Sequence, residues 1–97
     1  MNWNAEPINK GGLEIGDIVI WRWTIDKGTC KDIMCSCHTH MVVYDESKCK
    51  RDYDYCCRAI SSRRYYDERE QDLLLVARGI DENEFTLHTH IHGSTQP

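Results

Sequence analysis

The sequence predicts a mainly β, single-domain protein: a small barrel or sandwich with at most one short helix and a long cysteine-rich loop. Three observations carry this expectation. A chain of 97 residues fits one domain and leaves little for a second core. Its apolar residues fall in short runs rich in β-branched and aromatic side chains rather than at helical spacing. All six cysteines lie between Cys30 and Cys57, where apolar periodicity is weakest. Residues 1–12, with Pro7 and Gly11-Gly12, read as a flexible N-terminal arm, and residues 13–97 as the β-rich Cys/His-containing domain.

From Leu13 to Ile25 alternation places Val19, Trp21, Trp23 and Ile25 on one face of a strand, with Ile18, Ile20 and Arg22 on the other. The first set reads as the packed face. Asp26-Lys27-Gly28 supplies turn chemistry, with Gly28 free to take positive φ. Met41-Val42-Val43-Tyr44 reads as a second, largely buried strand with His38 and His40 at its mouth. Residues 45–60 show no clear period and read as a long excursion, unusual in a compact domain unless functional or cross-linked.

Ser61-Ser62 is placed to cap a helix running to about Asp72. Leu73 to Arg78 is read as a strand, followed by a hairpin loop at Asp81 to Glu84. The returning strand is then Phe85 to His92, with Phe85, Leu87 and Ile91 on one side and His88, His90 and His92 on the other.

Composition narrows the function classes. Hydrophobic residues at 40% and charged residues at 29% are ordinary globular usage, against disorder. No apolar run approaches the roughly 18 to 20 residues that span a bilayer, and Met1-Asn2-Trp3-Asn4 lacks a signal peptide's layout, so no membrane role is expected. A formal charge of −4 disfavours general phosphate affinity. One local reversal stands out: Lys50, Arg51, Arg58, Arg63 and Arg64 are interleaved with Tyr53 and Tyr55, a pattern that suits single-stranded RNA across residues 48–66. Acidic neighbours such as Asp45, Glu46, Asp67 and Glu68 blunt that field and favour a solvated loop.

The cysteines and histidines carry the distinctive chemistry. Cys35-Ser36-Cys37-His38-Thr39-His40 offers four potential ligands in six residues, and thiolate with imidazole is the donor set zinc prefers. On a strand His88, His90 and His92 point the same way, about 6.6 Å apart, so neighbouring imidazoles can converge on one ion. The plainer reading of that row is a solvated strand face.

Against zinc, the chain has no C-x-x-C knuckle, and Cys30, Cys35, Cys37, Cys49, Cys56 and Cys57 are an even set compatible with a disulfide framework. Thiols binding zinc imply a reducing, cytoplasmic setting; disulfides imply a secreted effector or toxin. No nucleophile, base or activated water is fixed by the sequence. Cys37 beside His38 is not a dyad, because consecutive strand residues face opposite sides. The balance favours a non-catalytic module stabilised by zinc, with another protein as the expected partner.

Leu13-Glu14-Ile15-Gly16-Asp17-Ile18-Val19-Ile20 resembles the opening strand of SH3-type small barrels. Gly16 to Gly28, then Met41-Val42-Val43, then Leu74 to Ala77 resembles the strand order of the MazF/PemK toxin family of ribonucleases, over about half the chain. That likeness implies an SH3-like barrel and the alternative of a ribonuclease or RNA binder. The family's catalytic arginine has no counterpart, since Thr39-His40 stands where its Arg-Pro would fall. Trp3-Asn4-Ala5, Trp21-x-Trp23 and Cys30 are also similar to the small RING subunits of cullin-type ubiquitin ligases, whose paired cysteine knuckles are absent here.

Overall fold

A computed structural model describes residues 12–44 and 50–91. Its secondary structure is β1 (Ile18–Trp21), α1 (Arg22–Asp26), β2 (Met41–Val43), β3 (Tyr55–Ala59), β4 (Tyr65–Glu68), a 3-10 turn (Glu70–Asp72), β5 (Leu73–Ala77) and α2 (Glu82–Thr86). All strand pairings are antiparallel, in the order β4-β3-β2-β1-β5. The mainly β expectation holds. Among the described residues the strands form one sheet that is not closed into a barrel, with β4 and β5 at its edges, and there are two short helices where at most one was expected.

The sheet is apolar on both faces. Val19, Met41, Val43, Cys57, Ala59, Leu73 and Leu75 pack together on one side. Ile18, Ile20, Met34, Leu74, Val76, Ala77 and Phe85 pack on the other. The five residues of β5 and the first three of β1 are all buried, which is why their runs read as continuous apolar segments. Before β1 a turn forms at Gly16, whose φ of 95° suits glycine. Buried Asp17 accepts the Glu14 N–H at 2.8 Å and two bonds from Arg78 at 2.9 and 2.8 Å.

The first strand is shorter than its alternation predicts. After Trp21 the chain enters α1, where the Thr24 hydroxyl donates to Trp21 O at 2.6 Å. The Arg22 side chain donates to Gln71 O at 3.0 Å and to Leu73 O at 3.4 Å, drawing the chain to the start of β5. These side-chain bonds to the backbone override strand propensity. Trp21 stays half-buried, but Trp23 is 57% exposed and stacks on Trp21 at 6.2 Å, so the expected packed face ends at Trp21. Gly28 is not at positive φ. It is needed for space, since a Cβ there would lie 2.1 Å from Thr24 O.

Three further expectations are corrected. The featureless excursion contains β3, which pairs with both β2 and β4. Its alternation is hidden because Cys56 and Cys57 are both buried. The helix after Ser61-Ser62 is instead a hairpin turn into β4, with Arg63 at φ 64° and Ala59 N–H donating to Arg64 O at 2.9 Å. The histidine strand is α2 and the segment after it. Asp81 accepts from the N–H groups of Asn83 and Glu84, a helix N-cap that starts α2 where a hairpin loop was expected. Phe85 is fully buried, while Leu87 and Ile91 are 83% and 74% exposed, so no apolar strand face exists there. Among the described residues no helix is long and apolar enough to cross a membrane.

Candidate metal centre

The loop between α1 and β2 gathers most of the unusual side chains. Tight local bonds coil it: Asp32 accepts from Met34 N–H at 3.0 Å and from Cys35 N–H through its backbone oxygen at 3.0 Å. His38 N–H donates to Cys35 O at 3.1 Å, and Cys37 N–H points to Cys35 Sγ at 3.4 Å. The C-terminal segment clasps the outside. His90 N–H donates to Met34 O at 3.1 Å, Ser36 N–H donates to His90 O at 2.7 Å, and the His90 ring pairs with the Asp32 carboxylate. Cys35 and His90 thereby form a short parallel bridge.

Inside this coil one ligand atom each from Cys30, Cys37 and His38 lies within 4.8 Å of the others. The Cys35 thiol adjoins them, with its Sγ 3.4 Å from the Cys37 backbone N–H. Cys35 and His38 are buried, Cys30 is half-buried and Cys37 is exposed. Although Cys37 is exposed as a residue, desolvation of its thiol against the loop, then hydrogen bonds with Cys35 and Cys30, push it up to about 12. Three thiols this close cannot share negative charge with one another, and a cation among them removes that obstacle. His38 Nε2 is buried and meets no hydrogen-bond partner among the described residues. A buried imidazole nitrogen needs a partner, and metal ligation supplies one.

The other predicted ligands are placed differently. His40 Nε2 donates to Ile33 O at 2.7 Å, and its ring packs edge-on against Phe85 at 5.0 Å. Burial lowers its pKa, keeping it neutral. His90 is committed to Asp32, and His88 sits exposed beyond α2 with its N–H on Phe85 O at 2.9 Å. No group of three potential ligands among the described residues includes His40, His88 or His90. His92 and Cys49 lie outside the described residues.

Cys30 was expected only in the disulfide set, and the structure brings it to the metal cluster. Its spacing, four ligands in the nine residues from Cys30 to His38, was the available signal. Among the described residues no disulfide joins two cysteines.

The basic, tyrosine-rich segment is partly neutralised. Arg58 pairs with Glu82 at 2.7 Å and lies over the Tyr44 ring at 5.5 Å, while Arg63 stands 3.7 Å from the same Glu82. The Tyr55 hydroxyl donates to Glu70 at 3.1 Å and accepts from Leu13 N–H at 3.3 Å. Tyr53 lies beneath Arg69 at 4.9 Å, and Lys50, Arg51 and Arg64 are exposed. No family model, curated protein or solved structure matches the chain, so its own geometry carries the functional reading.

Proposed function

We propose that this chain is a small non-catalytic binding module whose Cys/His loop is stapled by zinc on Cys30, Cys35, Cys37 and His38. The observation that carries the reading is the convergence of Cys30, Cys37 and His38 within 4.8 Å, with the Cys35 thiol adjoining. Three thiolates and one imidazole are a usual tetrahedral zinc set of the structural kind. Four protein ligands leave no position for an activated water, which favours a scaffold over a catalyst. The strand order, with β5 beside β1, is compatible with the SH3-type order that Leu13 to Ile20 resembles, but the sheet is not closed into a barrel and such a scaffold specifies no ligand by itself. Another protein is the partner class this reading favours.

Native mass spectrometry of the protein purified under reducing conditions tests the staple. The expected result is one zinc ion and a mass with every thiol reduced or metal-bound. Cobalt substitution should give the sulfur-to-metal charge-transfer bands of a tetrahedral thiolate site, lost in Cys37→Ser. A mass lower by about 6 Da with no metal would replace the zinc reading with three disulfides.

A further inference from the structure

The metal cluster has a neighbour. A cleft of about 130 Å³ opens beside it, sharing His38 with the proposed ligand set. Three segments meet there: the Cys/His loop, the turn between β3 and β4, and α2 with the residues that follow it. Ile60 and Phe85 supply apolar walls, and Phe85 is fully buried. Its size is near that of an engineered cavity of about 150 Å³ that admits benzene, so it holds a group of roughly half a dozen heavy atoms.

The polar lining has a definite hydrogen-bonding sense. His40 donates through Nε2 to Ile33 O, which leaves Nδ1 as an acceptor. When one nitrogen of His38 holds a metal, its other nitrogen carries the proton and must donate. Ser36 and Ser61 add hydroxyls that can do either. The Thr86 and Thr89 hydroxyls already donate to Glu82 O and Thr86 O, both at 2.9 Å, so toward the cleft they can only accept. No Asp, Glu, Lys or Arg side chain lines the cleft.

We infer that this cleft binds a carboxamide on a small apolar stem, with the amide oxygen accepting from His38 and the amide N–H donating to His40 or a threonine oxygen. An uncharged lining offers nothing to compensate a desolvated carboxylate or ammonium. An amide satisfies a donor and an acceptor together, and the stem covers Ile60, with the fully buried Phe85 behind it. The same chemistry occurs in a free small amide and in the glutamine or asparagine side chain of a partner. The inference rests on the zinc reading for the protonation of His38. Metal and amide are then coupled, each raising the affinity for the other by the same factor.

The test is an NMR titration of the zinc-loaded protein with isobutyramide, isobutyrate and isobutylamine, with cobalt spectra recorded in parallel. Isobutyramide should give saturable shifts confined to residues around Ser36, His38, His40, Ser61 and Thr86, with an affinity on the order of millimolar. The two charged analogues should bind about tenfold more weakly. Ser61→Trp, a change at an exposed turn position, should abolish the shifts and leave the cobalt bands intact. A glutamine-containing peptide that binds more tightly than isobutyramide, while its glutamate counterpart does not, identifies a partner side chain as the source; equal affinity identifies a free amide.

Equal binding of isobutyrate, shifts retained in Ser61→Trp, or no saturable shift overturns the inference. If cobalt bands are present without saturable shifts, the cleft assignment falls and the metal site stands. If isobutyramide titrates these residues but no metal binds, the zinc reading fails and the coupling with it.

Discussion

Strand β1 and the loop from Cys30 to His40 both bury side chains, yet of different kinds. Ile18, Val19 and Ile20 are fully buried, with an apolar layer on either side. The loop buries Met34 and Cys35 together with His38 and His40, so half of its buried side chains carry imidazoles that need partners. Burial of hydrocarbon stabilises wherever it occurs, by roughly 25 cal/mol per Å². Burial of imidazole and thiol stabilises only when each polar atom is satisfied. The sheet is therefore expected to stand without a ligand, and the loop to depend on one.

The sharpest way to break this contrast is to attack the residue where the two regions meet. Phe85 belongs to the apolar layer beneath β1 and also touches the His40 ring. Phe85→Ala should cost about 3–5 kcal/mol, with or without zinc, because a fully buried aromatic leaves a large cavity. Denaturation midpoints measured in both states check it. An effect that vanishes on metal removal would mean the core is organised by the loop.

Metal removal is the next largest effect. A chelator should lower stability by about 2.7 kcal/mol relative to free zinc at 100 times its Kd. Hydrogen exchange should localise the change: amides of Cys35, Cys37 and His38 lose protection while those of Ile20 and Leu75 keep it. Uniform loss across the chain would show that sheet and loop unfold as one unit.

These two regions also differ in how much of them could be read in advance. Continuous apolar runs such as Leu73 to Ala77 and Met41 to Val43 reveal strands because their side chains have no other way to leave water. The course of Tyr55 to Ala59 was hidden, since two adjacent buried cysteines erase a period of two. Alternation at Phe85 to His92 misled, because one N-cap at Asp81 and the burial of Phe85 decide the local structure. Within the site, Cys35, Cys37 and His38 were visible as a dense donor run, whereas admitting Cys30 required the coil that Asp32 and His90 impose. Such a coil is tertiary, and no periodicity encodes it.

The two tryptophans at the end of β1 sharpen the contrast between buried and exposed bulk. Trp21 packs against the core, meets Tyr66 edge-on at 5.3 Å and donates from Nε1 to Glu68 at 2.8 Å. Trp21→Ala should cost on the order of 2–3 kcal/mol, less than a fully buried tryptophan. Trp23→Ala should cost under about 1 kcal/mol, since most of its surface already faces water. Equal losses for the two variants would restore the longer strand that alternation predicts.

The smallest effect expected is electrostatic and lies at the same corner. Burial raises the Glu68 carboxyl above its ordinary value of 4.5, opposed by the Trp21 hydrogen bond and reinforced by the nearby charges of Asp72 and Asp67. A raised carboxyl binds its proton more tightly in the folded chain than in the unfolded one. Stability from this group therefore falls as pH rises from about 4.5 through the folded-state value, and the ionised form carries the penalty at neutral pH. Glu68→Gln keeps an oxygen to accept from Trp21 while removing the charge. It should raise neutral-pH stability by no more than about 1 kcal/mol, because the carboxylate is only half-buried and solvent screens it. The gain should disappear as pH drops below 4.5, where both forms of residue 68 are neutral. Denaturant midpoints for parent and variant at several pH values measure the difference, and a variant less stable than the parent at neutral pH would show that the charged hydrogen bond to Trp21 outweighs desolvation.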